Sequence, residues 1–333
     1  MILLTGATGH LGYAVAKELY EEGRELRFFA LPAEDISRLL PFNGELVYGD
    51  IRDREAVVKA VAGCEAVIHM AGVVSISKGS TAHILDVNVN GTKNILEVSL
   101  ENNVKRLVHV SSVHALTEPP HGIPVKEDLD FNPAKVSGDY AKSKALASIE
   151  VLKACDRGLD AVIVFPSGII GPFDYQRTNN SVNSLSRLLN TKAGDTVIYV
   201  NGGYDFVDVR DVAQGIAIAL RRGKTGHGYI LSGEYISVHD MNQAIADYLG
   251  VSIKQRYLPF AVALPLAGVN EVLHRLVARP TIFTSYAVST LRANSQFDNT
   301  KAKAELNYSP RSVGQSIVET LDWVRKMQPP QSF

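Results

Sequence analysis

Tyr140 and Lys144 stand four residues apart in YAKSK, within a stretch of helical character, so both side chains emerge on one face. A tyrosine phenol titrates near pH ~10, too high for efficient proton exchange at neutral pH. A neighbouring ammonium favours the phenolate, so the pair suits proton transfer to or from a substrate oxygen. Taken alone, a Tyr and a Lys at this spacing are also what a solvated helix surface carries. Ser111 and Ser112 add to the chemical reading, because they end the apolar run RLVHVSS. That is the carboxyl edge where an open α/β sheet binds its ligand, and one of the two should face the cleft. The competing role for either serine is to satisfy backbone groups at a strand end.

Upstream, TGATGHLG at 5–12 sets Gly6, Gly9 and Gly12 between the strand-like run MILLTG and the opening of a helix. The first glycine permits a tight turn and the second lets backbone amides approach a pyrophosphate. The third allows close packing of helix on strand, while the helix N-terminus supplies positive dipole. Thr8, His10 and Leu11 complete this cradle. Strand, loop and helix in that order point to a dinucleotide, beyond what a glycine-rich turn requires.

The TGxxGxxG spacing resembles the short-chain dehydrogenase/reductase superfamily, and further matches follow in order. GDIRD at 49–53 resembles the segment bracketing the adenine, here with Asp50 and Ile51. HMAG at 69–72 resembles the loop beside the cofactor's central ribose and phosphates, which implies roles for Met70, Ala71 and Gly72. VNVNGT at 87–92 resembles the helix whose Asn88 braces the active site. FPSGIIGPFD at 165–174 looks like the strand beside the nicotinamide, which brings in Pro166, Gly168 and Ile169, and Ser111 is placed next to the cofactor in the same way. FVDVRDVAQG at 206–215 and DNTKAKAELNYSP at 298–310 are similar to extended members, most closely the dihydroflavonol reductase and 3β-hydroxysteroid dehydrogenase branch.

The resemblance implies an oxidoreductase that moves a hydride between a nicotinamide cofactor and a carbonyl or alcohol carbon. Ser112 would hydrogen-bond the substrate oxygen, Tyr140 would exchange its proton, and Lys144 would also bind the nicotinamide ribose. It implies a homodimer through the helices 81–102 and 138–156. At the tip of the second strand, FFALPAED places Ala30 and Leu31 where an acid would hold a ribose hydroxyl or an arginine a 2′-phosphate. With no carboxylate there and Arg38 at a distance, the expected cofactor is NADP, with NAD the alternative.

The substrate is expected to be small and lipophilic. Val113 and His114 follow Ser112 where sugar-nucleotide dehydratases carry an Asp-Glu pair, which disfavours dehydration. A nucleotide-sugar epimerase shares the Tyr, Lys and Ser set but needs cations for a pyrophosphate, and Arg177, Arg187 and Arg292 have no assigned place. Thr117 stands where plant flavonoid reductases place an asparagine, so a flavonoid is not implied. A protein that senses the dinucleotide without turnover is a third reading, opposed by Tyr140, Lys144 and Ser112 together. His69, His109 and His114 lack metal-ligand spacing, so no metal is expected, and His114 lies near enough to Ser112 to touch substrate.

These residues need a scaffold. ILLT, ELRFFAL, ELVYGD, EAVIHMAG, RLVHVSS and DAVIVFPSG at 160–168 alternate with helix-period segments, among them LGYAVAKELYEEG and the spans 53–62, 81–102 and 138–156. Alternation of this kind predicts an α/β fold, a Rossmann doubly wound parallel sheet. Residues 1–165 are expected to form the cofactor domain. Residues 166–333 should form mainly a smaller C-terminal substrate-binding lobe, with some chain crossing back, helices near 211–222 and 239–249, and a last amphipathic helix bearing Val313, Ile317, Leu321 and Val324.

Lys plus Arg at 34 against Asp plus Glu at 35 leaves no basic field for nucleic acid. Two cysteines without metal-like spacing fit a reducing, cytoplasmic setting, and the start MILLTG has no basic n-region of a secretory signal. The apolar run at 258–269 is shorter than the roughly 20 residues of a membrane span and holds two prolines. It reads as a hydrophobic cover over the cleft or as core.

Overall fold

Short runs rich in Val, Ile and Leu bury on both faces only when helices flank a parallel sheet. The computed structural model describes residues 1–74, 81–176, 179–276 and 283–327, and it has this form. The chain begins β1 (Ile2–Thr5), α1 (His10–Glu21), β2 (Leu26–Ala30), β3 (Glu45–Tyr48), α2 (Arg54–Val61) and β4 (Ala66–His69). Next, α3 (Thr81–Leu85) runs through a π-helical turn at Asp86–Gly91 into α4 (Thr92–Glu101), and then come β5 (Arg106–Val110), α5 (Asp139–Asp156) and β6 (Ala161–Pro166). The second half opens with β7 (Gly168–Ile170), α6 (Asn180–Leu188), β8 (Thr196–Val200), β9 (Gly203–Asp208), α7 (Val209–Arg222), β10 (Gly228–Leu231) and β11 (Glu234–Ser237). It closes with α8 (Val238–Leu249), β12 (Lys254–Leu258), α9 (Phe260–Leu276), α10 (Ser285–Thr290), α11 (Thr300–Leu306) and α12 (Val313–Met327).

Seven parallel strands in the order β10-β6-β5-β4-β1-β2-β3 form the main sheet, with β1 hydrogen-bonded to β2 on one side and β4 on the other. The strand order reverses between β1 and β4, so the loops leaving these two strands diverge and open a crevice at their carboxyl ends. On one face of the sheet α1, α7 and α11 bury Val15, Leu19, Val212, Ile216 and Leu306. On the other, α2, α4 and α5 bury Val57, Ile95 and Val151. The smaller sheets β11-β9-β7 and β12-β8 belong to the second half, where α12 buries Val313, Ile317, Leu321 and Val324.

Three expected elements end differently. The strand predicted over 160–168 stops at Pro166, and Gly168–Ile170 pairs instead with β9, because Ser167 Oγ turns to hydrogen-bond the buried Asp205 carboxylate. The strand over 106–112 stops at Val110, and Ser112 caps the 3₁₀ turn that follows by accepting from the His114 backbone N–H at 3.3 Å. The helix expected over 81–102 carries the π turn, where the Gly91 backbone is pressed on Ile51 so closely that a Cβ would lie 2.5 Å from it. None of the described helices is long and apolar enough to cross a membrane.

Candidate active site

At the end of β1 the chain turns through Gly6 with φ +72°, where a Cβ would lie 2.8 Å from the Ala71 backbone nitrogen. A Cβ on Gly12 would sit 2.0 Å from the Gly6 carbonyl oxygen, so only glycine lets α1 start this close to the turn. The crevice above has a volume of about 680 Å³. Its walls include Gly6, Thr8, Gly9, His10, Leu11 and Gly12 from the cradle, Asp50 and Ile51 after β3, Met70, Ala71 and Gly72 after β4, and Ile169 from β7. Twelve of the residues expected at the cofactor thus border one groove. A dinucleotide fits these residues, because bare backbone amides and a helix N-terminus stand where side chains would otherwise fill the space.

A relay of hydrogen bonds sets the groove's far wall. Thr5 Oγ1 accepts from the backbone N–H groups of Met70 and Ala71 and donates to His69 Nδ1 at 2.8 Å. His69 Nε2 donates to Thr92 Oγ1 at 3.0 Å, and that hydroxyl passes its own proton to the Asn88 carbonyl. The directions require a neutral imidazole, and burial supplies it by bringing the His69 pKa down to about 3. His10 closes the other side. Its Nε2 donates to the Pro172 carbonyl at 2.7 Å, and its Nδ1 accepts from the Asn179 amide at 2.9 Å, so the cradle is tied to the cap of α6.

The α5 helix follows its cap Gly138, whose φ of +89° turns the chain, and carries Tyr140 and Lys144 in its first turns. Neither is among the residues lining the groove, although Lys144 lies against Gly72 of its wall. Ser112 stands near enough to Tyr140 to favour the charged phenol, yet burial outweighs it and pushes the phenol up to about 12. Lys144 is 6% exposed, donates from Nζ to the Val110 carbonyl at 2.9 Å, and burial brings its pKa down to about 8. Lys144, expected to favour the phenolate together with an oxidised nicotinamide, is not among the influences on the phenol in the protein alone. In the protein alone, loss of water dominates both groups, and each is driven toward its neutral form. Lys144 Nζ reaches the groove wall after β4, 3.4 Å from where a Cβ on Gly72 would be.

Other expected residues sit differently. Asn88 holds the backbone of Val73 through both its amide oxygen and nitrogen and donates to Ser143 Oγ, so it positions the loop and α5. The Ser111 hydroxyl bonds Ser148 in the core, leaving Ser112 as the serine beside Tyr140. Pro166 ends β6 in register with Leu231, and Gly168 is wedged against Asp205 and Tyr204; neither lines the groove. Asp50 lines it while ion-paired to Arg52, which also reaches Asp86. Arg292 stacks on Phe260, Arg187 ends α6, and Arg177 lies outside the described residues.

The sequence reading passed over four residues. Glu34, four positions beyond the tip of β2, folds back so that its carboxylate accepts from the Leu31 N–H at 3.1 Å and lines the groove. A carboxylate does stand near the expected ribose. Arg38 and Ser37 line an adjoining cavity of about 320 Å³, with Arg38 stacked on Tyr175. Near Tyr140, Tyr204 Oη and His114 Nε2 are hydrogen-bonded at 3.0 Å, and the Tyr286 ring lies 6.2 Å from His114. Burial brings the His114 pKa down to about 4. Glu34 was findable from the acidic pair in LPAED; Tyr204 and Tyr286 had no local signal. Among the described residues no group of His, Cys, Asp and Glu could hold a metal ion.

A parallel sheet with a glycine-lined crevice at its switch point defines a Rossmann-type fold whose crevice suits a dinucleotide. More narrowly, the chain belongs to the NAD dependent epimerase/dehydratase family, whose model matches residues 2–232, and so to the extended short-chain dehydrogenases/reductases. It is 30% identical to sterol demethylase protein B of Methylococcus capsulatus, over 97% of this chain and 98% of that one. It is also 30% identical to a putative dihydroflavonol 4-reductase of Synechocystis, over 96% and 93%. The crystal structure of gox2253 superimposes with a TM-score of 0.84 at 33% identity, covering 98% of each chain. Members of this family are NAD(P)-dependent oxidoreductases, epimerases and dehydratases.

Proposed function

We propose that this chain reduces a small lipophilic ketone or aldehyde to the alcohol at the expense of a reduced nicotinamide cofactor. The observation that carries this reading is the grouping of Tyr140, a half-buried phenol next to Ser112, with Lys144, whose ammonium meets the groove wall at Gly72. Burial keeps the phenol protonated, with its pKa at about 12. A protonated phenol is the form that can give a proton to a carbonyl oxygen. The bound cofactor supplies the hydride. Ser112 and Tyr140 hold the substrate oxygen between their hydroxyls, and Tyr140 passes its proton to that oxygen as negative charge develops there. Lys144 fixes α5 to β5 through Val110 and presents its ammonium at Gly72, where the groove meets the catalytic pair.

The His114, Tyr204 and Tyr286 rings around Tyr140 favour a greasy ring system, in keeping with the sterol and dihydroflavonol named for the two relatives. For the cofactor, Glu34 in the groove weighs against the NADP expectation. Its carboxylate suits free ribose hydroxyls and repels a 2′-phosphate, which makes NAD(H) the preferred reading. Arg38 and Ser37 in the adjoining cavity favour NADP(H) as the second. Residues 1–165 are read as the cofactor domain and 166–333 as mainly the substrate lobe, although α7, β10 and α11 pack on the main sheet. A cytoplasmic homodimer belongs to the same reading, and the free thiols of Cys64 and Cys155 suit that compartment.

The test is to follow reduced-cofactor absorbance with a panel of sterol, aryl and alicyclic ketones and aldehydes, for the wild type and Tyr140→Phe. Wild-type oxidation of NADH or NADPH by one of these carbonyls is expected, with kcat falling by about 10²–10⁴ in the variant and cofactor affinity unchanged. Equal turnover in the variant would refute the mechanism. Conversion of a nucleotide sugar with no net cofactor consumption would make the chain an epimerase, and cofactor binding with no turnover of any kind would make it a sensor.

A further inference from the structure

Helix α9 packs Phe260 and Leu264 partly against the body of the protein but leaves most of its bulky apolar side chains outside. It buries Ala263 and Ala267 completely, against Val200 and Val288, while Val262, Leu266, Val269, Val272 and Leu273 are 46% to 57% exposed. Four of these fall at i, i+4, i+7 and i+11, which draws one stripe along the outer side, and the exposed Ala261 and Pro265 extend it. A helix that answers only to its own protein turns its bulky side chains inward and its alanines outward. Glu271, the one acid in α9, faces away and accepts from the Ser285 backbone N–H of α10. The outward stripe therefore carries no negative charge.

Cations stand at the N-terminal end of α9 and in the strand that leads into it. β12 runs straight into α9, and its Lys254 and Arg256 are exposed and make no ion pair among the described residues. Ile198, opposite Arg256 in the register with β8, is 65% exposed, and Tyr257 beside it is 53% exposed. At the N-terminal end of α9, exposed Arg292 stacks its guanidinium 4.6 Å from the Phe260 ring centroid. Apolar residues along one side, an aromatic at the margin and basic groups around it are the composition of a helix lying in the interface of a membrane with anionic headgroups. The surface also adjoins the candidate site, because Tyr286 of α10, the helix packed along α9, stands beside His114 and Gly138.

We propose that α9, with the β12 cations, docks this protein on the surface of an anionic lipid bilayer without crossing it. The docking is independent of the reaction assigned above and is read without turnover. Full-length protein is floated with vesicles of phosphatidylcholine alone and of phosphatidylcholine with phosphatidylserine. The wild type rises with the mixed vesicles, less with the neutral ones, and less again in high salt. Leu266→Asp/Leu273→Asp lowers vesicle affinity by about 10-fold or more, while its thermal melt and its dinucleotide affinity match the wild type, since both residues are exposed and away from the groove. Lys254→Glu/Arg256→Glu removes the preference for phosphatidylserine and keeps the weaker binding to neutral vesicles. Wild-type protein that stays below both vesicle layers overturns the proposal. So does a wild-type dimer, seen by light scattering, that Leu266→Asp/Leu273→Asp converts to monomers, because the stripe would then belong to a second copy of the chain.

Discussion

Replacing Lys144 with Met should abolish turnover and at the same time make the protein more stable at pH 7. The ammonium is almost wholly buried and, among the described residues, donates to the Val110 carbonyl at 2.9 Å. Burial brings the pKa from 10.5 to about 8. At about 1.4 kcal/mol per factor of ten, that fall means the folded protein pays about 3 kcal/mol to keep this charge. Methionine fills similar volume without it. Stranding the Val110 carbonyl takes back about 1 kcal/mol, which leaves a net gain of about 2 kcal/mol, a rise of a few degrees in Tm for a chain of this size.

The sign can be followed with pH. Below pH 8 both folded and unfolded wild type carry the charge, and the penalty is fully expressed. Between pH 8 and 10.5 the unfolded chain still binds a proton that the folded chain has released, so wild-type stability rises with pH relative to the variant. Urea melts of both proteins from pH 7 to 10.5 should show the variant's advantage shrinking and then reversing by about 1 kcal/mol, the value of the lost bond. A variant that is less stable at pH 7 by an amount independent of pH would refute the claim that the buried charge is costly.

Gly12→Ala should eliminate dinucleotide binding, measured by cofactor fluorescence, because the new methyl would stand 2.0 Å from the Gly6 carbonyl and force α1 off the turn. Its destabilisation should reach at least the 1–3 kcal/mol typical of overpacking, read by urea melt. Glu34→Gln should move the Kd ratio of NADPH to NADH toward NADPH by about 10-fold, the size of one lost charge repulsion near the ribose; an unchanged ratio would mean that the carboxylate does not meet the cofactor.

Much of the fold was legible because the signals are local. Parallel strands flanked by helices announce themselves as apolar runs alternating with 3.6-residue periodicity, and β1, β2, β4 and β5 lie inside the runs expected. The groove was legible for a related reason: a glycine needed at a tight turn, or next to a crossing backbone, is specified by its immediate neighbours, as Gly6 and Gly12 show. Tyr140 and Lys144 share a face because four helical residues put them there.

What only the folded chain decided depends on partners far away in sequence and on how much water remains. Thr5 meets His69 across 64 residues and His10 meets Asn179 across 169, so the relays shaping the groove leave no trace in any short window. Ser111 and Ser112 are alike as letters, and the packing of Ser148 chose between them. Proximity along a helix suggested that Lys144 would acidify Tyr140, whereas desolvation, a property of the whole surrounding packing, moved both groups the other way. The apolar run at 258–269 likewise reads as cover or core until the fold buries Ala263 and Ala267 and leaves Val262, Leu266 and Val269 outside. Sequence sets which chemistry each segment can offer; the tertiary structure sets the dielectric and the partners, and these fix the protonation of each group and the surface it meets.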